Sequence, residues 1–81
     1  MNAKEMFEKL GYINVSDNVL TPIWVREHKG GTFNYDVAYK TTLEFSFKSV
    51  NVKLECQNYH GLCVSEIKAI AKQMEELGWV R

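Results

Sequence analysis

The side chains best equipped for chemistry in this sequence are Cys56, His60 and Cys63, spaced Cys-x-x-x-His-x-x-Cys, with His28 as a distant fourth. Two thiolates and an imidazole are donors that zinc takes, and one more ligand would complete a tetrahedron. The spacing is not that of a finger or a ribbon. Cys56 continues the alternation of Val52 and Leu54, and Cys63 stands where a helix begins, so both read more simply as core cysteines. We therefore expect no resident cofactor, with Cys56, His60 and Cys63 as the zinc candidates to test. A cysteine nucleophile served by His60 or His28 would need an exposed low-pKa thiolate and an oxyanion site. The helix start near Cys63 is the single feature that favours a thiolate.

Other reactive arrangements are no stronger. Asp36, Glu44, Glu55, Glu66, Glu75 and Glu76 are scattered over strand and helix positions, and no pair is spaced as acid and base. Lys29-Gly30-Gly31-Thr32 lacks the strand–loop–helix setting of a phosphate-binding loop and reads as a turn. The expectation is a protein that is not an enzyme. Its aromatic residues suggest what it does instead. Trp24, Phe33, Tyr35, Tyr39 and Tyr59 exceed what a small core needs, and exposed Tyr and Trp near a Gly-Gly break suit a contact surface. Trp24, Phe33, Tyr35 and Tyr39 are accordingly the expected protein-binding residues, the alternative being that Trp24 and Phe33 extend the core.

Charge bears on the partner. Lys+Arg and Asp+Glu number 10 each, which removes the net attraction that usually carries phosphate-backbone binding. A protein partner, or a second copy in a homodimer, is favoured over nucleic acid. The nucleic-acid alternative would stack bases on the aromatics and set Arg26, Lys29, Lys40, Lys48 and Lys53 on the phosphates.

The elements that position these residues follow from length and pattern. Eighty-one residues, 46% hydrophobic and 25% charged, make one domain over 1–81 with a single modest core. No apolar run approaches the ~20 residues of a membrane span. Glu5 and Glu8 interrupt any signal-like N-terminus, so a soluble intracellular protein with reduced thiols is expected.

The cleanest periodicity lies in residues 64–79. At about 100° per residue, Val64, Ile67, Ile70, Ala71, Met74 and Leu77 share one sector, opposite Glu66, Lys68, Lys72, Gln73, Glu75 and Glu76. Ser65 is the expected N-cap, and Gly78 the left-handed C′ residue with Trp79 folding back. At the other end, Asn2 and Glu5 form a capping box, Ala3, Met6, Phe7 and Leu10 share a face, and Gly11 ends the helix before Tyr12. Ile13 and Val15 precede a turn at Ser16-Asp17-Asn18, and a strand follows that includes Ile23-Trp24-Val25, with Pro22 at a strand start, bulge or edge. Which face Trp24 takes is open, as is whether residues 32–40 are strand or loop.

A hairpin over residues 41–56 is expected to turn at Lys48-Ser49. Phe47 then meets Val50, Phe45 meets Val52, Leu43 meets Leu54, and Glu44 meets Lys53 on the other face. The predicted fold is α+β: two layers, with an antiparallel sheet of three to four strands and an N-terminal and a C-terminal helix on one of its faces, in the order α-β-β-β-β-α.

Residues 1–12, Met-Asn-Ala-Lys-Glu-Met-Phe-Glu-Lys-Leu-Gly-Tyr, and residues 69–79, Ala-Ile-Ala-Lys-Gln-Met-Glu-Glu-Leu-Gly-Trp, resemble the ends of small uncharacterised proteins carried by phages and prophages of Gram-positive bacteria. The likeness is confined mainly to the terminal helices. It implies a mobile-element accessory protein of the bacterial cytoplasm, with a bacterial or phage protein as its partner, and brings no catalytic residues. A non-enzymatic interaction module is the leading expectation, with a small nucleic-acid-binding module and a small zinc-binding domain as alternatives.

Overall fold

The computed structural model of the chain describes residues 1–28, 38–56 and 61–79. Six elements run in the order α1 (Ala3–Lys9), β1 (Ile13–Asn14), β2 (Ile23–His28), β3 (Tyr39–Ser46), β4 (Ser49–Cys56) and α2 (Val64–Glu76). The four strands form one open antiparallel sheet in the order β1-β2-β3-β4. This is the expected α+β architecture, with both helices over one face of the sheet.

Local chemistry sets the ends of both helices. Asn2 Oδ1 accepts from the Glu5 N–H at 2.8 Å and Glu5 Oε1 accepts from the Asn2 N–H at 3.2 Å, closing the capping box of α1. Gly11 and Gly78 stand at φ +91° and +76°, a backbone region that other residues enter only with strain. Each reverses the chain so that the next N–H, of Tyr12 or Trp79, donates back to Phe7 O or Met74 O at 3.0 Å. One device thus ends both helices and returns an aromatic ring to the interior.

That interior is small and aromatic. Ala3, Phe7, Tyr12, Trp24, Leu43, Phe45 and Ala69 are buried, with Met6, Leu10, Val50, Leu62, Ile70, Met74, Leu77 and Trp79 packed around them. Phe7 is central: it stacks on Trp24 at 4.7 Å and meets Tyr12 and Phe45 edge-on at 5.4 and 6.3 Å. A seven-residue helix is too short to persist in water, so this docking is what holds α1. Pro22 lies just before β2, where its carbonyl accepts from the Phe45 N–H at 3.0 Å and its missing N–H costs the ladder nothing.

Three expectations are corrected. The hairpin turns at Phe47-Lys48, one residue earlier than expected, pairing Phe45 with Val50, Leu43 with Val52, Thr41 with Leu54 and Thr42 with Lys53. Phe47 and Lys48 take φ of 50° and 60°, the left-handed pair that a two-residue turn between twisted strands requires. Relative to the expected register β4 is displaced by two residues. Side chains alternate with period two, so every residue keeps its face and only Phe47 leaves the sheet, 96% exposed.

The second correction is the cap of α2, which is Cys63 rather than Ser65. Glu66 Oε1 accepts from the Cys63 N–H at 2.9 Å, so the third helical residue secures the start. The third is the buried face of α2, which runs through Glu66, Ala69 and Gln73 with Ile70 and Leu77 beside it, while Val64, Ile67 and Ala71 lie outside. The stripe is rotated because two polar side chains have partners inside and Val64 and Ile67 have none.

Candidate functional site

Two polar positions of α2 reach the interior and are met there. The Tyr12 hydroxyl donates to Glu66 Oε2, and Arg26 Nη2 donates to the same oxygen at 3.2 Å. Arg26 Nη1 donates to Leu10 O at 3.3 Å, and its guanidinium stands over the Tyr12 and Tyr39 rings at 5.1 and 5.4 Å. Seven residues further along α2, Gln73 Oε1 accepts from the Trp24 Nε1–H at 3.0 Å. Burial raises the Glu66 carboxyl, but the Cys63 N–H, the Tyr12 hydroxyl and the Arg26 charge outweigh it, and the group is held below the usual carboxylate range. Burial, reinforced by the neighbouring carboxylate, pushes the Tyr12 phenol well above its ordinary value.

This cluster has the parts of an acid–base site with its carboxylate enclosed by protein donors, and Arg26 Nε is buried beside it with no hydrogen-bond partner among the described residues. Glu66 is 1% exposed, Tyr12 2%, and the cross-strand neighbour Thr41 1%, so the carboxylate is held by protein donors rather than offered to a substrate. A cleft of about 440 Å³ opens beside it among Lys4, Glu8, Asn14, Trp24, Gln73 and Glu76. Three of its polar groups, Asn14, Gln73 and Glu76, are bonded to protein, while Lys4 and Glu8 are exposed. Glu76 Oε2 accepts from the Ala3 N–H at 2.7 Å, and Asn14 Oδ1 accepts from the N–H of Ser16 at 2.9 Å and of Ile23 at 3.4 Å. The cleft runs between α1, α2 and the β1–β2 side of the sheet.

The residues singled out in the sequence separate in space. Trp24 is 4% exposed and belongs to the core, so it presents no contact surface. Tyr39 is half-buried on β3 beside His28, with ring centroids 5.5 Å apart. Phe33, Tyr35, Tyr59 and His60, like the whole of residues 29–37 and 57–60, lie outside the described residues. Cys63 is an exposed free thiol at the start of α2. Among the described residues no group of three or more His, Cys, Asp and Glu is arranged to hold a metal ion.

Of the cations proposed for phosphate contact, Arg26 is turned inward to Glu66. Lys40 is paired across strands between Glu27 and Glu55, and Lys53 lies 3.5 Å from Glu55, so the outer sheet face carries alternating rather than single-sign charge. No helix among the described residues is long and apolar enough to cross a membrane.

An apolar surface remains on the helix side. Val52 and Leu54 of β4 stand opposite the buried Leu43 and Thr41, yet they are 44% and 39% exposed. Toward α2, α1 presents Met6, Lys9 and Leu10, which adjoin Ser65 and Lys68; toward β1 it presents Lys4 and Glu8. α2 thus meets α1 along its Ser65 and Lys68 side, and its ties to the sheet run to Arg26 and Trp24 of β2 and, through Trp79, to Phe45 of β3. The flank of α2 turned away from α1 carries Ile67 and, at the helix start, Val64, 53% and 67% exposed. β4 is also a sheet edge, with one neighbouring strand, β3, among the described residues.

Comparison with protein-family models, curated proteins and solved structures gives no match. What the chain can do is therefore read from its own surface. The sequence pattern missed the Tyr12–Arg26–Glu66 cluster, although one signal was present: a glutamate three residues after Cys63, the spacing of a capping box. It also placed Val64 and Ile67 inside, and so overlooked the apolar flank.

Proposed function

We propose that this protein is a non-enzymatic protein-interaction module whose binding surface is the outer edge of β4, which has no further strand beside it among the described residues, together with the exposed flank of α2. One observation supports the reading: Val52 and Leu54 remain exposed on a strand with no second neighbouring strand among the described residues, and Val64 and Ile67 are exposed on α2, while Glu66 is enclosed by Tyr12 and Arg26. A long edge with apolar side chains is a template for another chain, which a strand can extend through backbone hydrogen bonds. The resemblance of the two ends to phage and prophage proteins of Gram-positive bacteria agrees with an accessory role in the bacterial cytoplasm, and the partner is then a bacterial or phage protein.

Chemical cross-linking in the host cytoplasm tests this. The wild-type chain is expected to give a defined cross-linked protein species. Ile67→Lys, at an exposed helical position, should lose it while keeping the wild-type circular dichroism. Retention of the species by Ile67→Lys and by Leu54→Lys would rule out this surface.

A further inference from the structure

The exposed strand carries information about what it pairs with. A two-residue turn makes Ser46 and Ser49 the closing hydrogen-bonded pair, so Ser49, Asn51, Lys53 and Glu55 direct their backbone groups to β3. Val50, Val52 and Leu54 then direct theirs outward. Any strand added to β4 must bond at those alternate residues and present side chains that suit the two faces of the edge.

The outer face restricts the choice. In the row Glu27, Lys40, Glu55 across β2, β3 and β4, the charge alternates, and Lys53 follows Glu55 on the same face of β4 at 3.5 Å. A second copy of β4 laid antiparallel on the first with Leu54 opposite Leu54 brings Lys53 of each copy opposite Glu55 of the other. The sequence of signs then runs unbroken across the junction: Glu27, Lys40, Glu55, and Lys53 of the copy. Shifting the register by two residues sets Lys53 against itself in one direction and Glu55 against itself in the other, and a shift of four sets Lys53 against Asn51 and Glu55 against Ser49. Opposite charges directly across strands favour a register and like charges oppose it. On the helix side the same two-fold arrangement joins the Leu54 side chains, which are 39% exposed in the single chain.

Deepening the interaction reading above and resting on it, the geometry points to a second copy of this chain as the occupant of β4, joined edge to edge about Leu54 into a continuous eight-stranded sheet. A two-fold contact of this kind buries the same patch on both partners, so each apolar residue is covered once by its own counterpart region.

Sedimentation equilibrium over a micromolar to submillimolar range tests this with three chains. Wild type is expected to dimerise. Lys53→Glu, which places like charges opposite each other twice, should weaken the dimer roughly tenfold, and Lys53→Glu combined with Glu55→Lys should restore it. Both positions are exposed, at 73% and 50%, so circular dichroism should stay unchanged in all three. A wild type that is monomeric throughout, a dimer indifferent to Lys53→Glu, or a double variant that fails to recover would each overturn the proposal. If the wild type is monomeric but Ile67→Lys still loses a cross-linked partner of another size, the surface stands and the second copy is wrong. If the wild type is monomeric and Ile67→Lys loses nothing, both readings fall.

Discussion

The two edges of this sheet are finished in opposite ways. β1 is two residues long, its partner strand is fed by a proline, and Asn14 folds its own side chain onto nearby backbone N–H groups. β4 is eight residues long, with Val52 and Leu54 exposed along it. Next to β1 the interior is sealed, with Trp24 and Tyr12 buried under α1 and α2; along β4 the helix-side residues Val52 and Leu54 stay exposed. Short, occupied edges are how proteins avoid pairing with other chains, so the contrast marks the side on which pairing is permitted.

Breaking the sealed side should have the largest effect. Arg26→Met leaves Glu66 buried with its charge no longer matched, which typically costs ~3–5 kcal/mol, and urea unfolding should show a midpoint shift of that size. Tyr12→Phe removes one donor from the same carboxylate and should cost about 1–3 kcal/mol in the same measurement.

The pH dependence sharpens the comparison because it belongs to the sealed side alone. Glu66 has a folded pKa below its unfolded value, so its contribution is complete above the usual carboxyl range and is lost as pH falls below 4.5 and through the depressed folded value. Tyr12 is shifted upward, so its contribution is complete below pH 10.0 and declines as pH rises beyond it. Thermal melts between pH 7 and 3 should fall less steeply for Glu66→Gln than for wild type. Ile67→Lys, on the open flank, should leave that slope as it is.

The smallest effect is expected at the hairpin tip. Phe47 and Lys48 both hold positive φ, which suits Asn-Gly far better. Replacing the pair with Asn-Gly should stabilise the fold by about 1 kcal/mol without altering the pairing of β3 with β4. If the melting temperature falls instead, Phe47 makes a contribution that its exposure conceals.

The features legible in the sequence are those governed by neighbours in the chain. Asn2 with Glu5, Gly11 with Tyr12, and Gly78 with Trp79 act over a few residues, and alternation in residues 41–56 assigns each side chain a face whatever the register. The features that were not legible depend on distant partners. Glu66 and Gln73 look like solvent-facing residues until Tyr12, Arg26 and Trp24 are brought to them from 40 to 54 positions away. Counting them as polar turned the helix the wrong way, and with it hid Val64 and Ile67. The turn at Phe47-Lys48 was missed for a related reason: an aromatic residue in a strand pattern is assigned to the ladder, although the backbone there needs left-handed torsions that nothing in a phenylalanine announces.

One small feature has reach beyond its size. The ring that closes over Glu66 is delivered by the chain reversal at Gly11, at the end of a helix that cannot stand by itself. Loosening that last turn would withdraw the phenol and let water in to the carboxylate in a single motion. In hydrogen exchange, the amides of Phe7 through Tyr12 should therefore open together, and their rate of opening should rise in step with acidification.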